Sequence, residues 1–137
     1  MIEVTWKGGV TFESVGPSGN PFTMDGTPAV GGQDHGPTPV EALLGSAAAC
    51  SGIDVVTVLN KKQVPFTSYR LEVTYERATE GDWPRPVTAM TVRHVLGGNI
   101  DAAAVDRAVQ LSDEKYCTVI ATLRIPVAVT SEWKIVE

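Results

Sequence analysis

The stretch HGPTPVEALLGSAAACSGIDVVTVLNKK, residues 35–62, decides the fold predicted for this chain. It opens with a helix start signal, because Thr38 can cap, Pro39 suits the first helical position and Glu41 completes a capping box. An apolar segment follows and ends in two lysines, which the helix dipole favours at a carboxyl end. With so few polar side chains, this helix is expected to be buried on nearly all sides.

A long helix that is apolar on all sides has more apolar surface than a chain this short can readily bury. Its small residues, from Gly45 to Gly52, would let another backbone approach closely. We therefore predict that two copies of the chain pack together as a homodimer.

Length and composition bound the class of protein. A chain of 137 residues predicts one domain, residues 1–137, with a real hydrophobic core. The net charge of -5 argues against nucleic-acid binding. No run reaches the ~18 consecutive apolar residues that a membrane span needs. The first residues lack the layout of a signal peptide, so a cytoplasmic protein is predicted.

Hydrophobic alternation and turn signals predict the order of the remaining elements. They indicate a hairpin over 3–15 split at Gly8-Gly9, a short strand at 22–24, a Gly- and Pro-rich loop over 25–37, strands over 68–79 and 87–96, a helix from 102 to about 115, a short segment over 119–123, and a final strand over 126–136. This mixture of helices and hairpins predicts an α+β fold.

Cys50 and Cys117 are the two cysteines of the chain. A free cysteine is often a small buried hydrophobe, and that interpretation of Cys50 stands beside a reactive one. In a cytoplasmic protein, two distant cysteines can also be an attacking and a resolving thiol. Cysteine and histidine are too few and too scattered for a structural zinc site. We predict neither a metal nor a cofactor.

Two sequence motifs are more specific than the spacing of the two cysteines. Residues 36–62, GPTPVEALLGSAAACSGIDVVTVLNKK, resemble the central-helix motif of the OsmC/Ohr family. Residues 112–123, SDEKYCTVIATL, resemble its second-cysteine motif, and SGIDVVTVL after Cys50 is similar to the YhfA-like branch. The resemblance covers nearly the whole chain. It implies the OsmC-like fold, an intertwined homodimer whose long central helices pack between antiparallel sheets.

The resemblance also implies an activity. It is that of a metal-free peroxidase of organic hydroperoxides, serving oxidative-stress defence. Cys50 matches the peroxidatic cysteine, which becomes a sulfenic acid. Cys117 matches the resolving cysteine, which would form an intramolecular disulfide with Cys50. A dithiol or lipoyl-bearing partner would then reduce that disulfide.

The chain departs from the family pattern at two positions that concern activation of the thiol. The glutamate that Ohr-type members keep after the helix proline is Val40 here, and Glu41 follows one place later, as in the YhfA-like branch. Glu41 is therefore either a catalytic residue or only a cap. No arginine precedes Arg70, although Ohr-type members supply one from their N-terminal strands. Whether a later cation such as Arg70, Arg93 or Arg107 replaces it is left open by the sequence.

These departures keep other interpretations open. Asp54, one turn after Cys50, would oppose thiolate formation unless it is paired. The alternative is a non-enzymatic OsmC-like protein that binds a small molecule or senses redox state, with Cys50 unactivated. A different thiol reaction on a sulfur-containing small molecule also fits.

The remaining polar and aromatic candidates receive structural interpretations. His35 is expected to be a solvated loop residue and His94 a core or interface residue. Tyr116 and Trp133 are expected in the core or at the dimer interface, where either could line an apolar substrate pocket.

Overall fold

The computed structural model describes residues 1–136, which fall into two compact units. One unit comprises Met1–Ala48 and Val73–Thr91, and the other comprises Ala49–Glu72 and the chain from Val92 onward. The single domain expected over residues 1–137 stays a prediction.

Three α-helices and five strands make up most of the regular structure of residues 1–136. They are β1 Glu3–Trp6, β2 Phe12–Val15, β3 Pro21–Met24, α1 Pro39–Lys61, β4 Ser68–Arg77, β5 Val87–Gly97, α2 Ala102–Leu111 and α3 Thr118–Leu123. A π-helical turn, Ser112–Tyr116, joins α2 to α3. The predicted α+β class is confirmed.

The central helix begins where the sequence predicts. The Thr38 N–H donates to Oε2 of Glu41 at 2.9 Å, and the Glu41 N–H donates to Oγ1 of Thr38 at 3.3 Å. These reciprocal bonds satisfy two backbone donors that the first turn of a helix leaves without partners. The capping box predicted at this position is confirmed.

The N-terminal strands form an antiparallel sheet in the order β1-β2-β3. Trp6 pairs with Phe12 across the predicted hairpin, and Phe12 pairs with Met24 of β3. Gly8 and Gly9 both have positive φ, a conformation that suits glycine and lets the hairpin turn between β1 and β2. The hairpin and the third strand are confirmed.

Strands β4 and β5 form the second sheet. Its two ends are closed by backbone hydrogen bonds from Thr67 to Gly97 and from Ala78 to Pro86, so the strands run antiparallel. Helix α2 begins at the predicted cap, because Oδ1 of Asp101 accepts from the Ala103 N–H at 3.0 Å.

The core of the second unit lies where α1 meets α2. Val55, Leu59 and Ala108 are fully buried there, and partly buried apolar residues from both helices and both strands surround them. Full burial of an aliphatic side chain stabilises a fold by roughly 1.5–3 kcal/mol, so these contacts fix α2 against α1.

Helix α1 is not buried on all sides within one chain. Leu44, Ala47, Val55 and Leu59 are buried, whereas Ile53 on the other side is 67% exposed. A single chain thus covers one stripe of the helix. The expectation of nearly complete burial is wrong for the chain alone.

The predicted final strand over 126–136 is also wrong. Residues 124–136 are exposed and carry no strand pairing, and Trp133 is 85% exposed. A strand needs a partner edge for its backbone donors and acceptors, and within residues 1–136 this segment pairs with none. Neither Trp133 nor Tyr116 lies in the core of the chain, since Tyr116 is exposed as well.

Within residues 1–136, α1 is the one helix long and apolar enough to cross a bilayer, with a mean hydropathy of 1.8 over its best window. The core helices of soluble proteins reach the same length and composition, so this is weak evidence for a span.

Candidate functional site

The two cysteines meet beside an aspartate in the second unit. The Sγ atoms of Cys50 and Cys117 and a carboxylate oxygen of Asp54 lie within 4.8 Å of one another. Both cysteines are thiols rather than halves of a disulfide. Cys50 is half-buried, whereas Cys117 is only 4% exposed.

Helix geometry and one unusual turn bring these groups together. Cys50 and Asp54 are four residues apart on α1, which places them on the same side of that helix. In the π-helical turn, the Cys117 N–H donates to the carbonyl of Ser112, five residues earlier, at 2.9 Å. Cys117 then precedes α3 and accepts from the Ala121 N–H through its carbonyl at 3.0 Å. Such turns are frequent at functional sites.

Burial raises the pKa of the Cys117 thiol. A backbone hydrogen bond from Ile120 opposes this shift, and the nearby Cys50 and Asp54 raise the pKa further. A second negative charge is unfavourable beside the Asp54 carboxylate, so the Cys117 thiol stays protonated at neutral pH.

A chain of polar side chains leads away from Asp54. Ser112 is fully buried, and its Oγ lies 2.9 Å from Oδ2 of Asp54 and 3.0 Å from Oγ of Ser51. Oγ of Ser51 lies 3.5 Å from Nε2 of His94, and Nδ1 of His94 lies 2.6 Å from the hydroxyl of Tyr69. Five side chains from α1, β4, β5 and the π-helical turn thus form one continuous series.

The environment sets the protonation of the two ring groups in this series. Burial lowers the pKa of His94, although the charge of Asp113 opposes the shift. Burial raises the pKa of Tyr69 to about 12. At neutral pH, His94 is therefore a neutral imidazole and Tyr69 a protonated phenol.

His94 also faces an open groove. The groove has a volume of about 490 Å³, and His94 and Asp106 are its polar lining residues. The others are apolar or small: Leu96, Ile100, Ala102, Val105 and Val109. The polar series therefore reaches a space large enough for water or a small ligand.

Sequence reasoning missed most of this network. His94 was expected in a core or interface role, and Tyr69, Ser51 and Ser112 were not singled out. One signal was available, because Ser51 and Asp54 are polar residues in an otherwise apolar helix, and buried polar groups need partners.

The other predicted site residues lie elsewhere. Glu41 makes the capping bonds described above, and a catalytic role for it stays a prediction. His35 is largely exposed, with Nδ1 3.3 Å from Oγ1 of Thr11 and 3.8 Å from the Asp25 carboxylate.

The candidate replacement arginines are also engaged or exposed. Arg70 and Arg93 pair with Glu72, at 2.8 Å and 3.6 Å, and both are largely exposed. Arg107 is exposed on α2.

A thiophilic cation could be bound by three side chains of this site, because their ligand atoms lie close together: Cys50, Asp54 and Cys117. They supply three ligands, one fewer than the closed set of a structural zinc site. That the protein functions without a metal stays a prediction.

The chain is similar to known proteins in sequence and in fold. The model of a family of OsmC-like proteins matches residues 31–132. The chain is 37% identical over 137 residues to protein YhfA of Escherichia coli strain K12, with 99% of this chain and 98% of that protein covered.

Solved structures share the fold. A hypothetical protein from Aquifex aeolicus VF5 superposes with a TM-score of 0.77 at 28% identity, covering 90% of this chain and 86% of the other. An organic hydroperoxide resistance protein, OsmC, from Legionella pneumophila superposes with a TM-score of 0.65, covering 90% and 88%. Its identity is 13%, so that likeness shows the fold alone. Because the family model spans most of the chain and YhfA aligns from end to end, this chain belongs to the family of OsmC-like proteins.

Proposed function

We propose that the protein is a thiol-dependent peroxidase that reduces organic hydroperoxides in oxidative-stress defence. Cys50 is its peroxidatic cysteine and Cys117 its resolving cysteine. One observation carries the proposal: two thiols, neither of them in a disulfide, lie within 4.8 Å of each other in one site, although they are far apart in the sequence.

The exposure of the two thiols supports this division of roles. Cys50 is half-buried and open to a substrate, whereas Cys117 is buried beside it. A resolving thiol needs contact only with the other cysteine, so burial suits it. The apolar residues of α1 around Cys50 favour alkyl or fatty hydroperoxides over hydrogen peroxide.

The reaction balances with the two cysteines and one external dithiol. The Cys50 thiolate attacks the terminal oxygen of RO–OH, the O–O bond breaks, and the alkoxide takes a proton to leave as the alcohol. The Cys117 sulfur then attacks Sγ of Cys50, and the released hydroxide takes a proton to leave as water. A dithiol or lipoyl-type reductant restores both thiols by exchange and is itself oxidised to a disulfide.

The test is peroxide consumption with cumene hydroperoxide and dithiothreitol. Cys50→Ser is expected to abolish turnover, because it removes the nucleophile. In the absence of dithiothreitol, Cys117→Ser is expected to consume one equivalent of peroxide and accumulate sulfenic acid, which dimedone traps and mass spectrometry detects. Thr57→Ser, also on α1, is the control and should retain full turnover.

Absence of turnover in the unmodified protein would contradict the peroxidase and support the second candidate, a non-enzymatic binding or redox-sensing protein. The position of Asp54 favours this candidate, since its charge opposes ionisation of Cys117. The pairing of Arg70 and Arg93 with Glu72 favours it as well.

We further propose that the protein is a cytoplasmic homodimer. Large apolar side chains are exposed on α1 and along residues 125–136, among them Ile53, Val129, Trp133 and Ile135. A monomer rarely exposes so much apolar surface, and a second copy would cover it. The same copy could offer an edge to the unpaired C-terminal segment.

Sedimentation equilibrium at micromolar concentration tests the dimer. The unmodified chain is expected to sediment as a dimer, and Ile53→Asp as a monomer, because the carboxylate would be buried without a partner. Ala103→Asp is the control, since an acidic residue suits the first turn of α2 and lies on exposed surface. A stable monomer of the unmodified chain would contradict the proposal.

A further inference from the structure

We infer that Asp54 accepts the proton of Cys117 during disulfide formation, and that Ser112, Ser51, His94 and Tyr69 position it as a hydrogen-bonded relay. The inference rests on the proposed function, in which Cys117 attacks Cys50. Asp54 is the catalytic group, because its carboxylate lies within 4.8 Å of both sulfur atoms. The other four residues act through Asp54.

Donor counting gives the relay a direction. A serine hydroxyl has one hydrogen, so Ser112 can donate either to Asp54 or to Ser51 but not to both. An ionised carboxylate only accepts, which assigns the Ser112 hydrogen to Oδ2 of Asp54 at 2.9 Å. Ser51 then donates to Ser112 across the 3.0 Å that separates their oxygens.

The same counting assigns the histidine tautomer. Because Ser51 has used its hydrogen, Nε2 of His94 donates to Ser51, and Nδ1 is left as an acceptor. The Tyr69 hydroxyl, whose pKa is raised to about 12, donates to Nδ1 at 2.6 Å. Every donor therefore points toward Asp54, and a neutral His94 fits the series without an orphaned hydrogen.

A charge argument explains why the site needs a proton acceptor. Burial, together with Cys50 and Asp54, raises the pKa of Cys117, so solvent alone removes this proton slowly. Transfer to Asp54 forms the thiolate beside a neutral carboxyl group, so the site never carries both negative charges at once. General bases placed in this way contribute on the order of 10²–10⁴ in rate.

The proton balance of the resolving step closes within the site. The Cys117 S–H bond breaks, the proton moves to Asp54, and the Cys117 sulfur forms a bond to Sγ of Cys50. The S–O bond of the sulfenic acid breaks, and the leaving hydroxide takes a proton from Asp54 to become water. The relay restores the hydrogen bond to Asp54, and His94 connects it to the water of the groove.

Other charged groups face the two ends of the relay. Cys50 and Cys117 face Asp54. His94 contacts Tyr69 of β4 and feels the charge of Asp113, which itself pairs with Arg124 at 3.6 Å. Asp106 of α2 lines the same groove as His94. A change in the rate with pH can therefore be assigned to His94 only when the contributions of Asp113 and Asp106 are considered with it.

The test isolates the attack of Cys117 from the peroxide chemistry. Cys50 is half-buried and is expected to react first with 5,5′-dithiobis(2-nitrobenzoate), which releases one thionitrobenzoate anion and leaves the other thionitrobenzoate disulfide-bonded to Cys50. Attack by Cys117 then releases this second thionitrobenzoate anion, and the second phase of the absorbance change in stopped flow gives its rate. This leaving group needs no proton, so the rate reports deprotonation of Cys117.

Asp54→Asn is expected to slow this release on the order of 10²-fold at pH 7 and to make the rate climb with pH, while the unmodified protein varies little between pH 6 and pH 8. Ser112→Ala and His94→Gln are expected to slow it less, on the order of tenfold, with a smaller pH slope. A purely structural role would not change the pH slope. Circular dichroism checks that each variant is folded, and Asp82→Asn, at an exposed position between β4 and β5, is the control.

The opposite result has a definite meaning. If Asp54 acted only as a repelling charge, its neutralisation would lower the pKa of Cys117 and release would become faster. Release that is unchanged or faster in Asp54→Asn therefore overturns the inference. Normal release by the unmodified protein, with no cumene hydroperoxide turnover, would contradict the peroxidase alone. Absence of release from the unmodified protein would overturn both.

Discussion

Asp25 and Asp54 are both carboxylates withdrawn from water, and different kinds of donor hold them. Asp25 is 2% exposed and accepts three backbone N–H groups, from Gly26 at 2.8 Å, Gln33 at 2.9 Å and His35 at 3.2 Å. Asp54 is half-buried, accepts from the hydroxyl of Ser112, and lies beside two thiols.

The difference separates a structural carboxylate from a reactive one. Backbone donors are fixed by the chain, so they hold one charge state, and the Gln33 N–H contributes most to lowering the pKa of Asp25. Hydroxyl and imidazole donors can reverse their hydrogen bonds, so the surroundings of Asp54 can follow a proton. The type of donor, rather than burial alone, indicates what a buried carboxylate does.

The largest expected effect tests the backbone around Asp25. A Cβ at Gly32 would overlap the carbonyl of Gly26, so Gly32→Ala has to push apart the loop that supplies the donors to Asp25. We expect a loss of about 3 kcal/mol or more in the free energy of unfolding, measured by urea denaturation.

Gly16→Ala is the matched control, because its Cβ would meet only a side-chain atom of Ile2 at 3.9 Å. A loss no greater than that of the control would show that the loop can yield, and the contrast between the two carboxylates would weaken.

A smaller effect is expected from Asp25→Asn, which removes one accepting oxygen and leaves at least one backbone N–H without its acceptor. We expect Tm at pH 7 to fall by several degrees. The pKa of Asp25 is lowered from its usual 3.8, so the contribution of the carboxylate is complete above that value. It is lost as the pH falls through the lowered, folded-state pKa. The Tm difference from the unmodified protein should therefore shrink below pH 3.8.

Asp34→Asn serves as the control, since Asp34 is an exposed residue of the same loop with φ of 55°, a conformation that asparagine adopts well. A Tm difference for Asp25→Asn that stays constant down to pH 2 would show that the charge of Asp25 is not what stabilises the loop.

Local signals predicted the elements well. Thr38 and Glu41 define the start of α1 through a capping box, and Asp101 defines the start of α2. Both caps are predictable because their hydrogen bonds join residues that are close in the sequence. The hairpin at Gly8-Gly9 follows from the same kind of local chemistry.

Long-range partners were not predictable in the same way. The alternation over 126–136 has the pattern of a strand, but periodicity does not say which edge a strand pairs with. The polar series joins residues of α1, β4, β5 and the π-helical turn. Polar contacts between elements that are distant in the chain produce no periodic pattern in the sequence. The pairing of Cys50 with Cys117 was anticipated through the family resemblance, whereas the position of Asp54 beside both was not.

The π-helical turn has a consequence for how this segment can change in evolution. The hydrogen bond of this turn joins residues that are five apart in the sequence, whereas an α-helical bond joins residues that are four apart. This extra residue sets the direction in which Cys117 points. Deleting one residue would remove the five-residue hydrogen bond from the Cys117 N–H to the Ser112 carbonyl and shift the thiol relative to Cys50. Asp113, Glu114 and Lys115 are exposed and can be exchanged for other residues. Insertions and deletions between Ser112 and Cys117 should therefore be much rarer among functional variants than substitutions.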